Sequence, residues 1–262
     1  MNWYPGHMAK ALREIKEHMN KVDIIYLLLD ARLPLSSINP IIKDIASHKP
    51  MLYLYNKSTL ADLNKLSAFI EDENYLIIDA LKRENMRQIP LKTKEMLVDL
   101  IQKKQQQGYK NYTIKAMIVG IPNVGKSTLA NALSKRKSAS TDAKPGHTRA
   151  LQWIKIDQQI QLLDTPGVLW PKFEDPLTMK RLALAGSIKE EIVNKEALFT
   201  YAYHYLDRHY KDYLSYYDVP YDTLETFITN LQERRNLTLD GLYTLVLNDI
   251  KLSKLGGICF DL

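Results

Sequence analysis

The chain has one cysteine, Cys259, in 262 residues. A lone thiol rules out a disulfide framework and fits a reducing compartment. Long apolar runs are also missing. None approaches the ~20 residues that cross a bilayer as a helix, and the first residues lack the apolar stretch of a secretory signal. These absences predict a soluble, cytoplasmic protein with no membrane partner. No internal repeat is visible.

Charge is divided unevenly between the first two thirds of the chain and the tail. The net charge is +6, with a pI near 9.1. From Ser187 onward there are 8 Lys/Arg against 12 Asp/Glu, about −4, which leaves 28 against 18, about +10, for residues 1–186. Attraction to RNA phosphate therefore comes from the first two thirds, unless those lysines only solvate the surface. With 45% apolar residues the chain can bury at least one full core, and its length suits one large domain plus a small one.

Several short apolar runs suit buried parallel strands: Asp23–Asp30 within VDIIYLLLD, Met51–Tyr55, Tyr75–Ile78 and Thr113–Gly120. Leu151–Ile156 and Gln158–Leu163 read as a hairpin. Helix-like segments lie between, at Pro40–His48, Asp62–Glu71, Arg87–Gln105 and Lys126–Lys135. Strands alternating with helices predict an α/β fold, a mostly parallel sheet with helices on both faces. The polar stretch Lys103–Asn111 reads as a linker. Beyond Trp170-Pro171 the pattern turns helical, at Leu177–Gly186, Ala197–His209, Tyr221–Glu233 and Leu239–Ile250. The predicted domains are 1–186, with an N-terminal arm over 1–20, and a small all-helical domain over 187–262.

Gly120-Ile121-Pro122-Asn123-Val124-Gly125-Lys126-Ser127 follows an apolar strand and precedes a helix, the setting of a phosphate-binding loop. Gly120 and Gly125 let the backbone wrap phosphates, and the N–H groups of Val124 through Thr128 and the helix start turn positive dipole toward them. Lys126 places a cation on the β- and γ-phosphates, and the Ser127 hydroxyl suits Mg²⁺. Asp164-Thr165-Pro166-Gly167 follows 38 residues after Lys126. There Asp164 can hold Mg²⁺ through water, and the Gly167 N–H can sense a γ-phosphate. Between them, Thr148 suits the Mg²⁺-capping position of a switch loop.

Asn56-Lys57-Ser58-Thr59 closes the Met51–Tyr55 strand and resembles the guanine-reading Asn-Lys-x-Asp of GTPases, yet it precedes the phosphate loop. It also has Thr59 where an Asp accepts two hydrogen bonds from guanine. Losing such a contact costs roughly 1.5–3 kcal/mol, so selectivity for guanine over adenine stays open. Asp62 offers compensation or, as we expect, a helix cap. Asp79-Ala80 fits the second guanine loop, whose backbone N–H meets the base oxygen.

The order guanine loops, phosphate loop, switch I, switch II resembles the circularly permuted GTPases of ribosome assembly, most closely the bacterial ribosome biogenesis GTPase A family. The likeness spans nearly the whole chain, through Trp3–Ala11, Asp30–Pro34 with Asn39-Pro40, GIPNVGKSTL, LLDTPGVLWPKFEDP and Asn248–Gly256. It implies a permuted P-loop GTPase domain followed by a helical rRNA- or ribosome-contacting domain. It also implies binding of GTP or GDP with Mg²⁺, and docking on a late large-subunit precursor (23S rRNA and ribosomal proteins) until hydrolysis releases the protein. A monomer off the ribosome is expected. Departures are Thr59 and His147.

Ras-like enzymes position water with Gln after the switch II Gly, where this chain has Val168. The resemblance assigns the task to His7, with His147 as rival and a structural histidine as the plain alternative. It also makes Asn123 either a K⁺ ligand or a shaper of the loop. Lys135, Arg136, Lys137, Lys144 and Arg149 suggest a nucleotide-dependent RNA contact. The eight tyrosines between Tyr201 and Tyr221 read as core at helical spacing, with base stacking as the alternative. Two rival functions are an RNA-binding scaffold with negligible turnover and an ATP-dependent kinase.

Overall fold

The computed structural model describes residues 6–134, 151–189 and 192–262. The first element, helix α1 (Gly6–Met19), buries Met8, Ala11, Ile15 and Met19, one stripe at helical spacing. Strand β1 (Ile24–Asp30) follows, and all seven of its residues are buried. This explains its unbroken apolar run: β1 lies between two parallel neighbours and is covered on both faces. The Tyr26 hydroxyl, buried on this strand, donates to Thr93 Oγ1 at 2.7 Å.

Helix α2 (Pro40–Ile45) starts on Asn39, whose side chain caps Ile41 and Ile42, with Pro40 in the first turn. Next come β2 (Met51–Asn56), the short α3 (Leu63–Leu66), β3 (Tyr75–Ile77), α4 (Gln88–Met96), α5 (Val98–Gln106), β4 (Ile114–Val119) and α6 (Lys126–Leu133). The hairpin β5 (Gln152–Lys155) and β6 (Ile160–Asp164) completes a six-stranded sheet in the order β3-β2-β1-β4-β6-β5. Every neighbouring pair is parallel except β5–β6. The expected α/β fold is present. Its parallel strands point their carboxyl ends to one edge, where ligands bind in such sheets.

The remaining helices are α7 (Pro176–Leu184), α8 (Lys195–His209), α9 (Leu224–Arg235) and α10 (Leu239–Lys251). α8 packs against α7 and α10, around Phe199, which stacks on Phe227 at 6.5 Å and meets Tyr243 at 4.5 Å. Residues 256–262 run back over the carboxyl edge of the sheet. There Ile258 N donates to Leu60 O at 3.2 Å and Phe260 N to Arg32 O at 2.7 Å.

Some elements differ from the sequence reading. The described part of the arm is helical, as α1. The Arg87–Gln105 helix breaks at Leu97, whose φ −111 and ψ 21 leave helical values. One turn earlier Thr93 back-bonds to Ile89 O at 2.7 Å, a contact that bends helices. The Asp62–Glu71 segment yields only α3 and a 3₁₀ turn, Ser67–Phe69. The linker stretch continues α5 as far as Gln106. Of the eight tyrosines only Tyr216 is exposed, at 48%. Several hold the returning tail: Tyr205 Oη donates to Cys259 O, Tyr210 Oη accepts from Cys259 N, and Tyr213 Oη donates to Gly257 O. They are core and clamp rather than a stacking platform.

Candidate nucleotide site

The carboxyl edge gathers the ends of β1, β2, β4 and β6 and the loop after β3. Gly120–Ser127 joins β4 to α6, as the strand–loop–helix pattern requires. Its conformation depends on residues without bulk. A Cβ on Gly120 would lie 2.5 Å from Leu28 O, and one on Gly125 (φ +103) 2.5 Å from Asn56 Nδ2. The Lys126 ammonium is buried and donates to Gly120 O at 3.1 Å and Ile121 O at 2.8 Å. Burial pushes its pKa down to about 8, against the pull of Asp164 and with a further push from Lys57. A lysine in this state gains from an incoming polyanion, which supplies the counter-charge its surroundings lack.

Switch II lies against this loop. Val168 N donates to Gly120 O at 3.2 Å, and Asn39 Nδ2 donates to Val168 O at 2.9 Å. A Cβ on Gly167 would meet Pro122 Cα at 2.6 Å and Lys126 Nζ at 3.0 Å. Ser127 Oγ donates to Asp164 Oδ2 at 3.3 Å, so the two Mg²⁺ candidates among the described residues touch. This donor set, a hydroxyl beside a carboxylate next to a buried lysine, suits a magnesium–phosphate group. Thr148, the third candidate, and His147 lie outside the described residues, as do the five switch I basic residues.

Asn56 joins distant stretches of the chain. Its Nδ2 donates to Val124 O at 2.8 Å, and its Oδ1 accepts from Ala80 N at 2.9 Å. One buried amide thus ties the Gly120–Ser127 loop to the Asp79-Ala80 loop. Lys57 sits at φ 63 with its ammonium 2.8 Å from Asp30 Oδ2. Ser58 N donates to Ile78 O at 3.1 Å, and Thr59 Oγ1 donates to Asp79 Oδ2 at 2.6 Å. Asp62 caps α3 through Lys65 N at 3.2 Å, as expected, and contacts the Tyr210 hydroxyl.

His7 is exposed in the first turn of α1, and among the described residues no hydrogen bond joins it to the phosphate loop or switch II. Asn123, at φ 57 in the exposed part of the loop, donates Nδ2 to Gly186 O at 3.1 Å. Thr128 follows Ser127 in the first turn of α6.

The sequence reading gave no role to Asp30 and Arg32, yet they form the most buried charged group of the edge. Arg32 donates Nε to Asp30 Oδ1 at 2.9 Å and Nη2 to Asp30 Oδ2 at 2.8 Å. It also donates Nη2 to Ala185 O at 2.9 Å and Nη1 to Lys251 O at 2.8 Å. Burial pushes the Asp30 carboxyl upward, but the Arg32 and Lys57 cations outweigh it and hold it well below the ordinary range. Two opposite charges, one ending an otherwise apolar strand and one just beyond it, are the available signal.

Residues 115–236 match the family described as 50S ribosome-binding GTPase, a match that begins at β4 and leaves Asn56 and Asp79 outside it. The fold resembles the GNP-bound crystal structure of YlqF from T. maritima, at 20% identity over 96% of this chain and 97% of that chain, with TM-score 0.69. Ribosome biogenesis GTPase A of Bacillus cereus is 39% identical over 100% of this chain and 93% of that protein. The Priestia megaterium protein of that name is 41% identical over 100% and 96%. Mitochondrial ribosome-associated GTPase 1 of Mus musculus is 36% identical over 79% and 67%. Identity of this extent along the full length places the chain in the ribosome biogenesis GTPase A family, GTP hydrolases with a circularly permuted G domain.

Proposed function

We propose that this chain binds GTP across Asn56–Thr59, Asp79-Ala80, Gly120–Thr128 and Asp164–Gly167. It docks on a late precursor of the large ribosomal subunit, contacting 23S rRNA and ribosomal proteins, and leaves once GTP has become GDP and phosphate. The observation that supports this most is Asn56, one side chain bonded to both Val124 and Ala80. It makes one pocket wall of stretches that are far apart in the chain. Ser127 and Thr148 hydroxyls would ligate Mg²⁺, with Asp164 holding it through water. Bound there, Mg²⁺ would supply positive charge to the phosphate oxygens. With its amide donor on Gly186 O, Asn123 keeps its oxygen for a K⁺.

Val168 is buried, and its backbone is engaged by Gly120 and Asn39, so a side chain from elsewhere must orient the attacking water. We assign this to His7, whose imidazole can orient or briefly accept a proton at neutral pH. Ribosome docking would complete the arrangement, which is why turnover should be ribosome-stimulated. The basic balance of residues 1–186 suits phosphate contact, and we assign the helices from residue 187 a shape-specific one. Arg32 supplies a link between them, since it grips the strand end beside Lys57 and the carbonyls of Ala185 and Lys251. Off the ribosome the protein would be a cytoplasmic monomer.

GTP hydrolysis titrated with purified 50S subunits tests this, with ATP in parallel and KCl compared with NaCl. A saturable rise with GTP alone, larger in KCl, is expected. Turnover indifferent to 50S subunits contradicts the ribosomal part of the reading, and equal rates in the two salts contradict the K⁺ role.

A further inference from the structure

The guanine loop lacks its usual acid, yet a carboxylate stands beside the gap. Asp79, on the second guanine loop, is 3% exposed. Its Oδ2 accepts from Thr59 Oγ1 at 2.6 Å and its Oδ1 from Lys82 N at 2.8 Å. Among the described residues it has no cationic partner within ion-pair distance. Its neighbour Ala80 is fixed by Asn56, which is fixed in turn to the phosphate loop. The carboxylate therefore lies between the two loops that flank the base site, and each oxygen keeps a free lone-pair direction.

Resting on the proposed nucleotide site, we propose that Asp79 is the residue that reads guanine in this chain, with Thr59 as its positioning residue. The acid missing at position 59 is matched by one at position 79, and the Thr59 hydroxyl donates to it. The chemistry is specific. Guanine presents N1–H and N2–H₂ as adjacent donors, which a carboxylate accepts as a charge-assisted pair. Adenine presents an acceptor at N1 and no donor at C2, so the same carboxylate repels it.

Calorimetric titration of the full chain with GDP, IDP, XDP and ADP in saturating Mg²⁺ tests the assignment through affinity ratios within each variant. The native chain should prefer GDP over IDP, which lacks the 2-amino donor, by roughly ten- to a hundredfold. Asp79→Asn should lose that preference and favour XDP, because an amide keeps an acceptor for N1–H and turns a donor toward the 2-oxo group. Thr59→Asp sets two carboxylates in contact and should weaken GDP at neutral pH. Adding Asp79→Ser to it should restore GDP by leaving a single acid, at position 59. If Asp79→Asn still binds GDP with unchanged GDP:IDP:XDP ratios, or the native chain binds ADP as well as GDP, the inference is overturned. Absence of any guanine nucleotide binding by the native chain overturns the site itself instead.

Discussion

Arg32→Ala removes the centre of the network that joins the sheet edge to the C-terminal helices. Arg32 is 1% exposed, and its side chain makes four hydrogen bonds, two to Asp30 and one each to Ala185 O and Lys251 O. Breaking a buried pair from one side costs about 3–5 kcal/mol. Lys57, still 2.8 Å from Asp30, limits the charge penalty, while the two carbonyls that lose their donor add to it. We expect about 3–5 kcal/mol in all, which lowers the melting temperature by roughly 6–20 °C for a chain of this size. Arg32→Lys should recover part of the charge term and little of the fork geometry. The effect must also depend on pH. Asp30 is held below its unfolded pKa of about 3.9, so its stabilisation is present above that value and is lost as pH falls through the folded one. In Arg32→Ala one of the two cations that lower the Asp30 pKa is gone, so less of that stabilisation is there to lose, and the gap between parent and variant narrows as pH drops below about 4. Thermal melts at pH 7 and pH 3 measure both. A variant melting within about 2 °C of the parent at pH 7 refutes the reasoning.

Lys126→Met should abolish nucleotide binding yet stabilise the nucleotide-free protein at pH 7, by at most roughly 3 kcal/mol from a pKa of about 8 against 10.5. The folded state disfavours the lysine's charge, so the parent gains stability as pH rises from about 8 toward 10.5. Urea denaturation should therefore show the two proteins converging by pH 10, and a gap that does not close contradicts the buried-cation account. Gly125→Ala places a Cβ 2.5 Å from Asn56 Nδ2 at a φ of +103. It should weaken GDP at least tenfold by calorimetry while costing about 1–3 kcal/mol of stability, and unchanged affinity would mean the glycine is not needed for the loop's shape.

Much of this was legible in the chain. Chemistry within a few residues announced itself, because an apolar strand, a glycine-bearing loop and a helix stand in sequence at Ile114–Leu133. The cap role of Asp62 could be read for the same reason. What escaped depends on partners far along the chain. Arg32 owes its burial to carbonyls of Ala185 and Lys251, and nothing around residue 32 names them. The tyrosines were readable as core from their spacing, but their grip on residues 257–259 needs the tail folded back. The partner of Thr59 is Asp79, from another loop, and nothing around residue 59 names it. The helix α1 is legible in Met8, Ala11, Ile15 and Met19, a stripe at helical spacing. The break at Leu97 leaves no mark in apolar periodicity, since Leu97 is itself buried.

The central claim is that stretches on either side of α4 and α5 close one pocket around a guanine nucleotide. Asn56→Ala tests it most directly, because Asn56 lies far in sequence from the phosphate loop that it bonds. GDP calorimetry with Mg²⁺ should give one site per native chain and at least a tenfold loss in Asn56→Ala, with ADP weaker throughout. Full GDP affinity in Asn56→Ala, or no GDP binding by the native chain, contradicts the account.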